Sequence, residues 1–266
     1  MMKNYCVAFL CTGLLSAPAS AQSVVKADRQ WSSEGQFMTY SSPWCAGHDK
    51  SLVVGRDFSN SIAYKKGDLA KGKNVKMTWR WPRADKRSAK CGVFGYNYVG
   101  WGNYDSGAVR RSVAPAQVKS IKALSFSYDA QSSANAEQFN GLGEFFLTKN
   151  AGAADQKVIE IGWFWNAPAL TRAWAKTGRQ LGRVVDPHGV KWTVSVNKSG
   201  VAGTYVTFIP VGKKTSGTFE GKAALNYLRK AGVVNGDWWF NGAALGVEPL
   251  GGAGSAVVRT FKVTLK

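Results

Sequence analysis

Three glutamates stand apart from the other carboxylates of this chain. Of sixteen Asp and Glu, most sit in polar turns, among them Asp49, Asp57, Asp68, Asp85, Asp155 and Asp186. There a solvated charge is explanation enough. Glu160 instead lies in VIEIGWFW, Glu248 in AALGVEPLGG and Glu144 in LGEFFL. A charge among so many apolar neighbours is costly unless it is paired or used. Alternation along a strand puts Glu160, Gly162, Phe164 and Asn166 on one face, and Ile159, Ile161, Trp163 and Trp165 on the other. Gly162 would leave open space for a ligand beside the Glu160 carboxylate. Glu248 follows an apolar run and precedes a Gly-rich turn, which fits an exposed strand-end charge and a functional one equally. Glu144 reads more simply as an outward residue of a half-exposed strand. Two carboxylates on neighbouring strands of a concave sheet can attack an acetal carbon and protonate its leaving oxygen, at roughly 5–5.5 Å in the retaining geometry. The acid of such a pair needs a raised pKa, which burial and a neighbouring carboxylate supply.

The elements that would position these residues are strands. Segment 73–81 (KNVKMTWRW) alternates polar and apolar residues, as does 120–128 (SIKALSFSY). Segments 143–148, 157–165, 190–196, 203–210 and 256–265 read as further strands, with Gly, Asn, Asp or Lys-Gly between them. One helix is predicted over 219–231, where Ala224, Leu225 and Leu228 recur at helical spacing, basic residues fill the last turn and Gly232 stops it. Residues 22–30 read as a loose lead-in, and the aromatic stretch 93–104 fits a groove wall or packing around Cys91. The pattern predicts an all-β fold: a two-sheet antiparallel sandwich with a concave cleft and one packed α-helix.

Residues 1–21 have the layout of a secretory signal peptide: Lys3, an apolar run and Ala19-Ser20-Ala21. Residues 22–266 then form one exported domain, extracellular or periplasmic, with no membrane insertion and monomeric by default. Cys45 and Cys91 remain after cleavage and are expected to form one disulfide. With His48 and His188 the only histidines, a Cys/His metal site is not expected. The formal charge of +19 is scattered without a nucleic-acid motif, so it reads as solubility and attraction to anionic surfaces rather than nucleic-acid binding. Eleven tryptophans exceed what core packing demands, and three or four are expected to face a groove, where aromatic rings hold sugars.

The last third of the chain resembles glycoside hydrolase family twelve, the small endoglucanases and xyloglucanases with a curved β-jelly-roll. Tyr205-Val206-Thr207-Phe208, Phe219-Glu220-Gly221, Leu225-Asn226-Tyr227-Leu228 and Gly246-Val247-Glu248-Pro249 follow the family's order. The resemblance implies that Glu248 is the general acid/base. It implies that Glu160, in Glu160-Ile161-Gly162-Trp163-Phe164, is the nucleophile, with Gly162 for the family's Met and Phe164 for its Trp. The family's Asp on the preceding strand is absent; either Glu144 replaces it with a one-residue shift or the role is missing. Ser41-Ser42-Pro43-Trp44-Cys45 stands where the family has Asn-Asn-x-Trp-Gly, and Cys45 and Cys91 correspond to its N-terminal disulfide. The activity implied is retaining endo-hydrolysis of β-1,4-glucan without metal or organic cofactor. Trp44, Trp79, Trp81, Phe164 and Glu144 are expected to contact the polymer. The altered residues around Glu160 keep open a non-catalytic polysaccharide binder on the same scaffold, and the charge keeps open a cationic adhesion protein.

Overall fold

A computed structural model describes residues 23–86, 91–105, 113–152 and 155–266. The signal-peptide segment 1–21 lies outside the described residues. Two sheets face each other across one apolar core. The smaller runs in the order β1 (Ser23–Ala27), β4 (Ser59–Lys65), β5 (Lys73–Arg80), β17 (Ala253–Leu265), β8 (Leu124–Ser132) and β14 (Ser216–Phe219). The larger runs β11 (Arg179–Val185), β12 (Lys191–Asn197), β13 (Tyr205–Pro210), β10 (Lys157–Asn166), β9 (Phe139–Thr148), β16 (Gly242–Pro249), β6 (Tyr96–Gly102), β3 (Phe37–Ser42) and β2 (Ser32–Glu34). A short ribbon of β15 (Trp239–Phe240) and β7 (Ala116–Gln117) joins it at β9.

Alternation decides which residues fill the space between the sheets. Ile159, Ile161, Trp163 and Trp165 of β10 meet Phe126, Phe145, Phe219 and Phe240 there. The Trp163 ring stacks on Phe126 at 4.6 Å and on Phe219 at 5.0 Å. Aromatic rings bury large apolar areas and gain further from such offset contacts, so this cluster supplies much of the adhesion between the sheets. The disulfide Cys45–Cys91 ties the short helix α1 (Trp44–His48) to the segment entering β6.

Several expectations change. Trp79 and Trp81 are in the core, 2% and 3% exposed, and not on a groove. The Trp81 ring stacks on Phe58 and Phe94, and its Nε1 donates to Asn60. Residues 23–27 are not a loose lead-in but an edge strand, β1, paired with β4. The stretch 93–104 contains β6, whose residues are all buried because both its faces are covered. The larger sheet is not wholly antiparallel, since β10 and β13 run parallel. The predicted helix is present as α3 (Gly221–Lys230), with Ala224, Leu225 and Leu228 buried. It is not alone: α2 (Ala169–Thr177) follows β10 and packs on β12.

Candidate active site

The site forms on the face of the larger sheet turned away from the core. Strand β9 runs between β10 and β16. Its ladders set Glu144 opposite both Gly162 and Ala244, Phe146 opposite Glu160, and Asn140 opposite Glu248. Residues 140, 144 and 146 share a parity on β9, so Glu144, Glu160 and Glu248 project to one side. They open on a single cleft of about 530 Å³. Trp44 and Phe164, both expected at the site, line it too, and Val93, Tyr96, Tyr98 and Tyr104 form part of its wall, one of the two readings of the 93–104 stretch; Trp174 and Tyr205 line it without having been expected. Two tryptophans therefore line this cleft, Trp44 and Trp174, fewer than the three or four expected.

Glu144 and Glu160 are 3% and 7% exposed. Glu144 accepts hydrogen bonds from the phenols of Tyr104 and Tyr205, the latter at 3.3 Å. Burial holds its carboxyl above the usual range, and these two donors pull it partly back down. Glu160 is pushed well above the usual range by burial first, then by the charge of Glu144 and a hydrogen bond shared with it. The charge of Glu248 raises it further, and Lys157 opposes the rise. Two buried carboxyls in contact cannot both ionise freely, so one proton is shared within this pair. Glu160 Oε2 is buried without a hydrogen-bond partner and faces Gly200. At Gly200 φ is +76°, and a Cβ would strike that oxygen, so the backbone there must be glycine.

Glu248 is half-buried at the end of β16. Its Oε2 accepts from Asn140 Nδ2 at 2.9 Å. Burial, then the Glu144 charge, pushes its pKa up to about 8, against the pull of Asn140. Asn140 Oδ1 in turn accepts from the Thr171 hydroxyl of α2 at 2.5 Å. The cleft thus holds a group that keeps its proton at neutral pH beside a pair sharing another.

The space expected beside Gly162 is not open. The Tyr205 phenol occupies it on its way to Glu144. The missing side chain at 162 makes room for a tyrosine, not for a ligand. Tyr205 sits opposite Glu160 in the parallel ladder, a pairing that local sequence cannot reveal. Asn140 could have been found by counting back four residues on the Glu144 face.

No family model matches this chain, and no curated protein matches it. Solved structures do. Endoglucanase 3 of Trichoderma harzianum, from glycoside hydrolase family 12, superposes with a TM-score of 0.70 at 16% identity, covering 94% of this chain and 100% of that one. The fold is that of the family 12 glycoside hydrolases. A family 12 xyloglucanase of Bacillus licheniformis gives 0.71 at 18% identity, over 91% of this chain and 100% of its own. An endoglucanase of Rhodothermus marinus gives 0.69 at 16%, over 91% and 99%. The family 12 jelly-roll fold thus extends across nearly the whole chain.

Proposed function

We propose that this protein is a retaining, endo-acting glycoside hydrolase of β-1,4-linked glucans. The observation that carries the reading is the meeting of Glu144, Glu160 and Glu248 in one cleft, with Glu248 raised to about 8 and therefore protonated at neutral pH. The structural neighbours named as endoglucanases and xyloglucanase support the substrate class.

In the first step the Glu160 carboxylate attacks the anomeric carbon. The bond from that carbon to the leaving oxygen breaks, and Glu248 gives the oxygen its proton. The proton shared by Glu144 and Glu160 must rest on Glu144 for this attack. Positive charge growing at the anomeric carbon favours that transfer, because it stabilises an ionised Glu160. In the second step Glu248, now a carboxylate, takes a proton from water. The resulting hydroxide displaces Glu160 from the sugar and restores the starting state. Trp44 and Trp174 offer aromatic faces to sugar rings, and Phe164 shapes the floor. The signal-peptide layout and the formed disulfide support export to an oxidising compartment, where we expect a monomer.

One observation favours a second reading, a polysaccharide binder without catalysis: Glu160 Oε2 is buried beneath Gly200 and unpartnered. Reducing-end release from carboxymethyl cellulose, mixed-linkage glucan and xyloglucan separates the two, run with Glu160→Gln and Glu248→Gln. Cleavage of one polymer by the wild type, nearly lost in both variants and with the product anomer retained, is the expected result. Binding of a polymer without cleavage would replace the hydrolase with the binder.

A further inference from the structure

The cleft does not account for the charge of the chain. Thirty-five Lys and Arg stand against sixteen Asp and Glu, yet the charged residues lining the cleft are Glu144, Glu160, Glu248 and Asp105 against Lys157 alone. The excess cations lie elsewhere, and one group of them is ordered by the sheet. Strand β5 buries Val75, Met77 and Trp79 and turns Lys76, Thr78 and Arg80 outward. Strand β17 buries Val258 and Phe261 and exposes Arg259 and Lys262, with an irregularity in its pairing between Val258 and Thr260. The ladder sets Lys76 opposite Val257 and Lys73 opposite Thr260. On the other side Ala63 of β4 pairs with Lys76, which brings Lys65 beside the same end of β5.

Six cations therefore share the outer face of the smaller sheet: Lys65, Lys73, Lys76, Arg80, Arg259 and Lys262. The carboxylates near them are Asp129 of β8 and Asp57, whose charge acts on Arg80, and the Arg80 guanidinium also donates to the Gly55 and Arg56 carbonyls. Among the described residues none of the six forms an ion pair. Between them the outward side chains are mainly hydroxyls, including Ser61, Thr78, Ser127, Thr218 and Ser255.

We propose that this face binds an acidic, carboxylate-bearing polysaccharide. Ammonium and guanidinium groups ranged across adjacent strands can pair with the carboxylates of a polyuronate, and hydroxyls between them can bond sugar hydroxyls. The face has no large apolar side chain to enter a lipid surface beyond Val25 and Val257; its other outward apolar side chains, Ala27 and Ala63, are small. It has no aromatic ring to stack a nucleic-acid base and no helix to enter a groove. It lies across the sandwich from the cleft, so its binding does not require Glu160 or Glu248.

Binding of the full exported chain to polygalacturonate, measured at low and at high salt, tests this. The test pairs two variants that lose the same charge. One carries Lys73→Gln, Lys76→Gln, Arg259→Gln and Lys262→Gln; the other carries Arg183→Gln, Lys191→Gln, Lys213→Gln and Lys230→Gln. The first is expected to bind about tenfold more weakly and the second within about twofold of wild type, with binding abolished by high salt. Both variants keep the wild-type Tm. Equal losses in the two variants would show that net charge alone attracts the polymer and overturn the proposal. So would tighter binding of anionic lipid vesicles, or of an oligonucleotide, at the same ionic strength.

Discussion

Asn140 of β9 lies directly across from Glu248 of β16 and donates its side-chain amide to Glu248 Oε2 at 2.9 Å. A donor to a carboxylate favours the charged form, and this one opposes the burial that raises Glu248 to about 8. Asn140→Ala removes the donor, so the acid form of Glu248 is expected to persist to higher pH. The alkaline limb of kcat/KM then moves up, while loss of a charge-assisted bond worth about 1.5–3 kcal/mol lowers the maximum by roughly 10- to 150-fold. An unmoved alkaline limb would mean that Glu248 is not the group titrating there.

Glu144→Gln is expected to move the same limb the other way. The charge of Glu144 raises both Glu160 and Glu248. Removing it lowers both pKa values, so the acid and alkaline limbs shift together towards lower pH. The glutamine keeps its oxygen for one phenol, while the other, which donates to the second carboxylate oxygen, must turn to accept from the new amide. The variant also loses the acceptor for the Glu160 proton, so its maximum falls even at the new optimum. A bell-shaped profile fixed in position would separate Glu144 from the chemistry.

The same carboxyls make stability depend on pH. A carboxyl raised in the folded state keeps a proton that the unfolded chain releases above about 4.5. Stability is therefore fullest below the unfolded pKa and falls as pH rises towards the folded value, about 8 for Glu248. Glu248→Gln removes that penalty. Its Tm is expected to match wild type near pH 4 and to exceed it by about 3–6 °C near pH 8, after discounting for partial exposure. A Tm difference independent of pH would contradict the raised pKa.

Gly162 stands where the resembling family carries methionine, and the structure explains the difference by Tyr205. A Cβ at 162 would strike the Tyr205 phenol. Gly162→Met alone is expected to cost about 1–3 kcal/mol through overpacking and to displace the phenol from Glu144. Combined with Tyr205→Ala it should recover most of the stability lost by the single change. If Gly162→Met is neutral by thermal unfolding, the tyrosine does not fill that space in solution.

How far the sequence reveals this molecule depends on whether a strand has one covered face or two. In β5 and β8 only one face meets the core, so alternation survives and both strands are legible. In β6 and β9 every residue is buried, because the cleft side carries aromatic rings as dense as the core side. Alternation disappears there, and β6 reads as an aromatic loop. Glu160 is legible because its charge breaks an apolar run, and Glu248 because of its motif. Asn140 and Thr171 are ordinary polar residues until the fold brings β9 and α2 beside Glu248. The alternation of β5 puts Trp79 with Val75 and Met77 on the apolar face, so its burial is legible there too, and the expectation of a sugar contact sets that signal aside.

That last point has a direct test in two tryptophans assigned alike from sequence. Trp79 is buried between the sheets, whereas Trp44 is 37% exposed on the cleft rim beside the Cys45–Cys91 bond. Trp79→Ala opens a large cavity and is expected to cost about 3–5 kcal/mol, lowering Tm by about 6–20 °C. Its KM for soluble glucan, measured well below that Tm, stays near wild type. Trp44→Ala is expected to leave Tm nearly unchanged and to raise KM several-fold, as an aromatic platform for one sugar contributes about 1–3 kcal/mol by analogy with stacked bases. The two variants thus separate along different axes. A Trp44→Ala protein with wild-type KM on every glucan would remove this side chain from the binding surface, and a Trp79→Ala protein with unchanged Tm would contradict its place in the core.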